Sequence, residues 1–517
     1  MVRPVLTVRV VRRAALVAVA CATVLAPASA ASKVGRGLEV EKLTVARVQQ
    51  ALRDRRTTCR QIVARSLQRV AAYDDHGPRL NALITVNPRA ISQAAHAPRG
   101  PLHCVPILLK DNYDTADLPT TGSSAALKDS RPPDDAETVR RLRAAGAVVI
   151  GKANLTELAL TGVTFGSLGG QTRNPYDLTR TPGGSSGGTG AGVASGFAVA
   201  GTGSDTVNSI RSPSSANSLV GIRPTAGLVS RDGIIPLSST QDAAGPLART
   251  VRDAASLLDV MAGYDADDPI TARAAGHRPR GGYAGGLNRR ALRGARIGLL
   301  LPFQPDPSKP LDRPVARIMR RVVHELRAAG ARVVPLPFPG VTPDGLISGL
   351  DVQRWEIRPQ LDHYLGSFPA PVSSLQALLD SGLVAPQFVG VLERAQAADS
   401  DDPEYARRRL AIPELSNRVL QLMAQHRVGA LAYPQQRRLV VPIGEDQSER
   451  NGILAALTGL PTIDVPAGFS APTRTAPRGV PVGLELTGRP FAEPRLLDLA
   501  YAYEQATHHR RAPASTP

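Results

Sequence analysis

Apolar side chains recur every three or four residues between positions 41 and 72, at Leu43, Val45, Val48, Leu52, Ile62, Val63 and Leu67. That period gathers them on one face and predicts helical structure. Shorter apolar runs at 81–86 and 105–109 predict strands. Thr138 to Ala145 predicts a helix ended by Gly146, and Ala147-Val148-Val149-Ile150 a buried strand. A strand from Arg296 to Leu301, a helix from Val315 to Ala329 closed by Gly330, and a strand from Arg332 to Leu336 follow the same logic. Thr250-Val251-Arg252-Asp253 opens another helix with a capping-box pattern. Strands near 462–465 and 482–486 and a helix from Arg495 to Ala506 close the chain. Residues 187–196 are nearly all small. Each glycine costs an isolated helix about 1 kcal/mol against alanine, yet small residues permit very close packing. This stretch predicts a tightly buried helix whose N-terminus lies beside Ser185 and Ser186. Residues 265–295 read as a surface connection, and 337–412 show no assignable pattern. The order of elements predicts an α/β protein with a mixed sheet flanked by helices.

Size alone allows two to four domains in 517 residues. The 47 glycines and 44 prolines argue for many loops rather than disorder, because 42% of the chain is hydrophobic. The N-terminus has the three parts of an export signal. Arg3, Arg9, Arg12 and Arg13 form a charged head, Ala14 to Leu25 an apolar stretch, and Ala28-Ser29-Ala30 a small-x-small site. Cleavage is expected after Ala30, which makes the mature protein secreted or extracytoplasmic. Arg12-Arg13 keeps twin-arginine export open beside the general route. No later segment reaches the 18 apolar residues of a membrane span. The formal net charge of +18 is scattered over solvated faces such as Arg140-Arg141-Leu142-Arg143. That distribution argues against nucleic acid as a partner and is compatible with anionic cell-wall polymers. Beyond the signal two cysteines remain, Cys59 and Cys104. Either they bridge, which the chain-entropy model values at roughly 3–4 kcal/mol, or they stay as two buried thiols.

Three segments carry the candidate chemistry. Val105-Pro106-Ile107-Leu108-Leu109 is an apolar run ending in Lys110. Gly183-Gly184-Ser185-Ser186-Gly187-Gly188 and Gly203-Ser204-Asp205-Thr206-Val207-Asn208-Ser209-Ile210-Arg211 are two serine-bearing loops. A serine hydroxyl needs a base to take its proton. A lysine serves only as a neutral amine, and burial at the end of an apolar strand favours that form. Together these segments resemble the amidase signature family, serine hydrolases with a Ser-Ser-Lys triad in place of Ser-His-Asp. The resemblance runs from about Leu43 to Arg511. It implies one large α/β/α domain over 31–517, with a core at about 100–250 and a variable substrate-side region at about 337–450. It further implies Ser209 as nucleophile, Ser185 as a bridging serine with a cis bond to Gly184, and Lys110 as general base. The oxyanion donors would be the backbone N–H groups of Thr206, Val207, Asn208 and Ser209. Ser186 would support the site as a further hydroxyl. Asp205 and Arg211 would pin the loop as a charge pair. Asp111 and Asn112 have no assignable role.

One departure stands out. The family usually places Gly-Gly before the nucleophile, and this chain has Val207-Asn208. Asparagine tolerates a positive φ but valine does not, so Val207 needs a negative φ. A side chain at 208 would narrow the cleft or add a polar contact. No cofactor or metal is implied: the glycine run lacks the G-K-[ST] ending of a phosphate loop, and no metal-ligand spacing is present. Three other readings remain. One is a catalytically impaired binding protein on the same scaffold. Another is an esterase of the α/β-hydrolase type using Ser186, whose elbow requires a strand just before it, where the sequence reads as loop. The third is the catalytic part of a tRNA-dependent amidotransferase, which a leader argues against. The substrate, a small-molecule or peptide amide, is open among peptide, aryl and aliphatic amides, as is the oligomeric state. Trp355, Tyr364, Phe388, Tyr405 and Tyr433 either line an acyl pocket or belong to the core.

Overall fold

The computed structural model describes residues 39–517; the expected leader and its expected cleavage after Ala30 lie outside the described residues. Thirteen strands form in chain order: β1 (Leu83–Val86), β2 (Pro106–Lys110), β3 (Val148–Ala153), β4 (Phe165–Gly166), β5 (Gly170–Gln171), β6 (Ala200–Asp205), β7 (Val220–Arg223), β8 (Ala243–Ala248), β9 (Arg296–Leu300), β10 (Arg332–Leu336), β11 (Ala430–Pro434), β12 (Thr462–Phe469) and β13 (Pro481–Thr487). Eleven of them build one sheet in the order β1-β3-β2-β6-β8-β7-β12-β13-β11-β9-β10, and β4 and β5 pair separately. The sheet is mixed. β2 runs parallel to both β3 and β6, and β6 runs antiparallel to β8.

The periodic segments fold as their spacing predicts. Residues 41–72 divide into helices Val45–Arg53 and Cys59–Val70, capped by the hydroxyls of Thr44 and Thr58. On β2, Ile107 and Leu109 enter the core on one face of the sheet and Leu108 enters that on the other. This alternation puts Lys110 on the Leu108 side. The helix Gly187–Ala194 packs on that same side, with Ala191 and Val193 in the same cluster as Leu108. Its small residues serve contact. A Cβ at Gly192 would stand 2.5 Å from Leu108 Cδ1, and one at Gly201 on β6 would stand 2.6 Å from Thr189 Cγ2.

Several expectations are corrected. Residues 337–412 are ordered helices, Pro343–Leu350, Gln353–Gly366, Leu375–Asp380, Pro386–Gln396 and the first part of Pro403–Gln425. Pro359 and Pro413 lie inside two of them, which removes the usual helical signal. The 265–295 connection is less superficial than expected, because Tyr283, Ala291 and Leu292 are buried. β6, β7, β8 and β11 carried no expectation. β6 reads Ala-Gly-Thr-Gly-Ser-Asp, and one threonine is its only branched or aromatic residue of the kind that signals strands. The open cysteine question resolves as a bridge: Cys59 and Cys104 form a disulfide with Cα atoms 5.1 Å apart. Among the described residues no helix is long and apolar enough to cross a membrane.

Candidate active site

Lys110 ends β2, a strand inside the sheet, and its side chain is fully buried. Its Nζ donates to Ser185 Oγ at 2.7 Å, to Ser204 Oγ at 2.8 Å and to the Ser204 carbonyl at 3.3 Å. None of these partners is a carboxylate. Burial lowers the amine from the ordinary lysine range to about 7, against the opposing influence of Asp205 and Asp242. A neutral amine in this position can take a proton from a hydroxyl.

Ser185 enters the site from a loop just before the helix Gly187–Ala194, and the Gly184–Ser185 peptide bond is cis. The Ser185 carbonyl accepts from Thr156 N at 3.1 Å. Ser186 N donates to the Ser209 carbonyl at 3.2 Å, which ties the two serine loops together. The Ser186 hydroxyl points to the Ser204 carbonyl at 3.4 Å. The last strand before Ser186, β5, ends at Gln171 and loop follows, so the strand-to-helix elbow is absent there.

Ser209 lies in the loop after β6 and is 6% exposed. Among the described residues its hydroxyl makes no hydrogen bond to Ser185 or Lys110; the lysine and the bridging position touch directly, and Ser209 joins them through the loop backbone. Among the described residues, too, no protein group accepts from the backbone N–H of Val207, Asn208 or Ser209. The loop is held from beneath. Arg211 Nε and Nη2 each reach Asp205 at 3.1 Å, and Nη1 reaches Glu485 at 3.0 Å. Arg223 adds a second ion pair to Asp205 at 3.0 Å. Burial alone would raise the Asp205 carboxyl, but Arg211 and Arg223 outweigh it and hold it at about 2. Ile210 N donates to the same carboxylate at 3.0 Å, and Arg211 Nη2 donates to the Val207 carbonyl at 2.6 Å.

The Val207-Asn208 departure has a structural explanation. Neither residue has a positive φ. The Val207 side chain packs in a core cluster with Leu300, Phe303, Trp355 and Ile453. The Asn208 amide lies 3.5 Å from the Gly184 carbonyl through Nδ2, and its Oδ1 accepts from Arg450 Nη1 at 3.3 Å. Thr206 turns its hydroxyl to Asp242 at 2.6 Å.

Sequence reasoning missed Ser204 and Arg450. Ser204 Oγ receives both Lys110 Nζ and Asn112 Nδ2, the latter at 3.0 Å, which gives Asn112 its place. The parallel neighbour relation of β2 and β6 would have pointed to Ser204, but β6 itself was not legible. Asp111 pairs with a second buried lysine, Lys152, at 3.3 Å. A cavity of about 500 Å³ reaches Ser204 and Thr206 and is lined by Asp114, Asp242 and Tyr364; Lys110, Ser185 and Ser209 are not among its walls. Of the five aromatic residues in question, Tyr364 alone lines it, with its hydroxyl on Asp114 at 2.7 Å. Trp355, Phe388 and Tyr433 are core, and Tyr405 stacks on Trp355.

Comparison with known proteins gives the family. The profile of the family described as Amidase matches residues 61–497. The chain belongs to the amidase family and is an amide-hydrolysing enzyme. It is similar to a probable amidase of Arabidopsis thaliana, 32% identical over 92% of each chain. It is also similar to a chain of the glutamyl-tRNA(Gln) amidotransferase of Halorhodospira halophila, 35% identical over 91% of this chain and 98% of the relative. Among solved structures, the native peptide amidase of Stenotrophomonas maltophilia superposes with a TM-score of 0.83 at 38% identity, covering 92% of this chain and 99% of the other. An amidase family protein of Bacillus anthracis gives 0.80 at 29% identity, covering 92% and 93%.

Proposed function

We propose that this chain is an exported amidase that cleaves a carboxylic amide through an acyl-enzyme on Ser209. The Ser209 hydroxyl attacks the amide carbonyl and passes its proton to Ser185, whose own proton goes to the Lys110 amine. The tetrahedral oxyanion is met by the backbone N–H groups of Thr206, Val207, Asn208 and Ser209; no protein group among the described residues accepts from the last three. The proton returns along the same path to the leaving nitrogen, the C–N bond breaks, and water then releases the acid. The observation that carries this reading is the fully buried Lys110 amine, lowered to about 7 and bonded to Ser185 Oγ at 2.7 Å. The S. maltophilia peptide amidase adds peptide amides to the substrates worth testing first.

The amidotransferase relatives favour a second reading, a subunit of an amidotransferase that acts on glutamyl-tRNA(Gln). Two features support export instead: the leader pattern of residues 1–30, and the Cys59–Cys104 disulfide, a bond that persists in oxidising compartments. A fluorophosphonate probe tests the chemistry. Folded protein should carry one adduct, on Ser209, and Ser209→Ala should lose both adduct and turnover with its melting temperature unchanged. Turnover near wild type in Ser209→Ala would defeat the assignment.

A further inference from the structure

A partly buried cation stands beside the nucleophile loop with no anionic partner in reach among the described residues. Arg450 belongs to a segment fixed in place by its neighbours. Asn451 Nδ2 donates to the carbonyls of Phe303 and Pro434 at 2.8 and 2.7 Å, and the Gly452 carbonyl accepts from Arg211 Nη2 at 3.0 Å. Gly452 lies against the loop, since a Cβ there would stand 2.5 Å from the Val207 carbonyl and 2.7 Å from Asn208 Cβ. On the other side the Arg450 guanidinium touches Gly162, where a Cβ would stand 2.9 Å from Nη1.

The guanidinium has five N–H donors. Among the described residues only one hydrogen bond uses them, Nη1 to Asn208 Oδ1, at a long 3.3 Å. No carboxylate lies within ion-pairing distance among the described residues. Asp351 and Asp446 act on Arg450 only at longer range, and Asp351 already accepts from Gln353 Nε2 at 2.7 Å. Arg211 and Arg223, the buried arginines beneath this loop, both have Asp205. Arginine is suited to bidentate recognition of a carboxylate, and its planar fork offers two parallel donors for one.

On the amidase reading above, we propose that Arg450 is a specificity-determining residue that binds a carboxylate carried by the substrate close to the scissile amide. The favoured substrates are then monoamides of short dicarboxylic acids and amides of acidic amino acids. A neutral amide leaves the guanidinium unpaired, and a cationic one is repelled by it.

The test uses three matched amides on the full-length enzyme: succinamate, butyramide and 4-aminobutyramide. Wild type should rank them in that order by kcat/KM. Arg450→Gln should lower kcat/KM for succinamate by about thirtyfold or more and leave butyramide within about threefold, and Arg450→Lys should recover part of the loss. An equal loss on succinamate and butyramide would show that Arg450 only props Asn208, and would overturn the proposal. So would a wild type that prefers butyramide or the cationic amide. A second readout is independent of turnover: succinate should slow fluorophosphonate labelling of Ser209 in wild type and in Arg450→Lys, but not in Arg450→Gln. Labelling without succinate protection overturns this proposal alone. Absence of both turnover and labelling overturns the amidase reading and this proposal with it.

Discussion

Lowering the Lys110 amine to about 7 makes a quantitative prediction for the rate. An amine at the ordinary lysine value would be neutral in only about one molecule in three thousand at pH 7. With the value near 7, about half of the enzyme is competent at pH 7 and about one molecule in a hundred at pH 5. Because kcat/KM reports ionisations of the free enzyme, it should fall tenfold for each pH unit below about 7 and level off above it. The assay is initial-rate hydrolysis of a neutral amide from pH 5 to 9, with circular dichroism at each pH to show that the fold persists. Lys110→Arg should be inactive throughout, because a guanidinium stays protonated at every one of these values. A wild-type profile flat within about threefold down to pH 5 would refute a lysine base.

Further outcomes test the parts around the lysine. Asp205→Asn leaves Arg211 and Arg223 buried without their shared carboxylate, and should cost about 3–5 kcal/mol in urea unfolding. Because Asp205 is held at about 2, below the usual carboxylate range, the stability from these pairs should be full above pH 4 and lost as pH falls towards 2. Val207→Ala removes core volume, so it should destabilise by about 2 kcal/mol while the fluorophosphonate labelling rate stays near wild type; a large drop in labelling at unchanged stability would place the side chain in the acyl site. Cys59→Ser with Cys104→Ser should lower stability by about 3–4 kcal/mol, and wild type should show no free thiol from this pair when denatured without reductant.

Where apolar residues repeat cleanly, the fold could be read directly. Val45, Val48, Ile62 and Val63 line the buried faces of their helices as their spacing requires. The meeting of Lys110 and Ser185 was legible through short local motifs, because one strand end and one helix start bring them together. What stayed hidden depends on neighbours across the sheet. β6 is built from Ala, Gly, Thr, Ser and Asp so that the glycine-rich helix can approach it, and this composition erases the strand signal. Ser204 was lost with it. Glu485, the second anion on Arg211, lies 274 residues further along the chain, and no local pattern links the two. The sequence could require a negative φ at Val207, which the loop has, but not where its side chain goes; the cluster around Leu300 and Phe303 decides that.

The helical stretch from Pro343 to Gln425 and the Arg450 segment stand apart in the chain from the motifs of residues 110–211. On the function proposed above, the bond-breaking groups and the selecting groups come from different stretches of the chain within one compact unit. Grafting the later piece from one relative onto another is a route to enzymes that keep one way of cutting while changing what they cut.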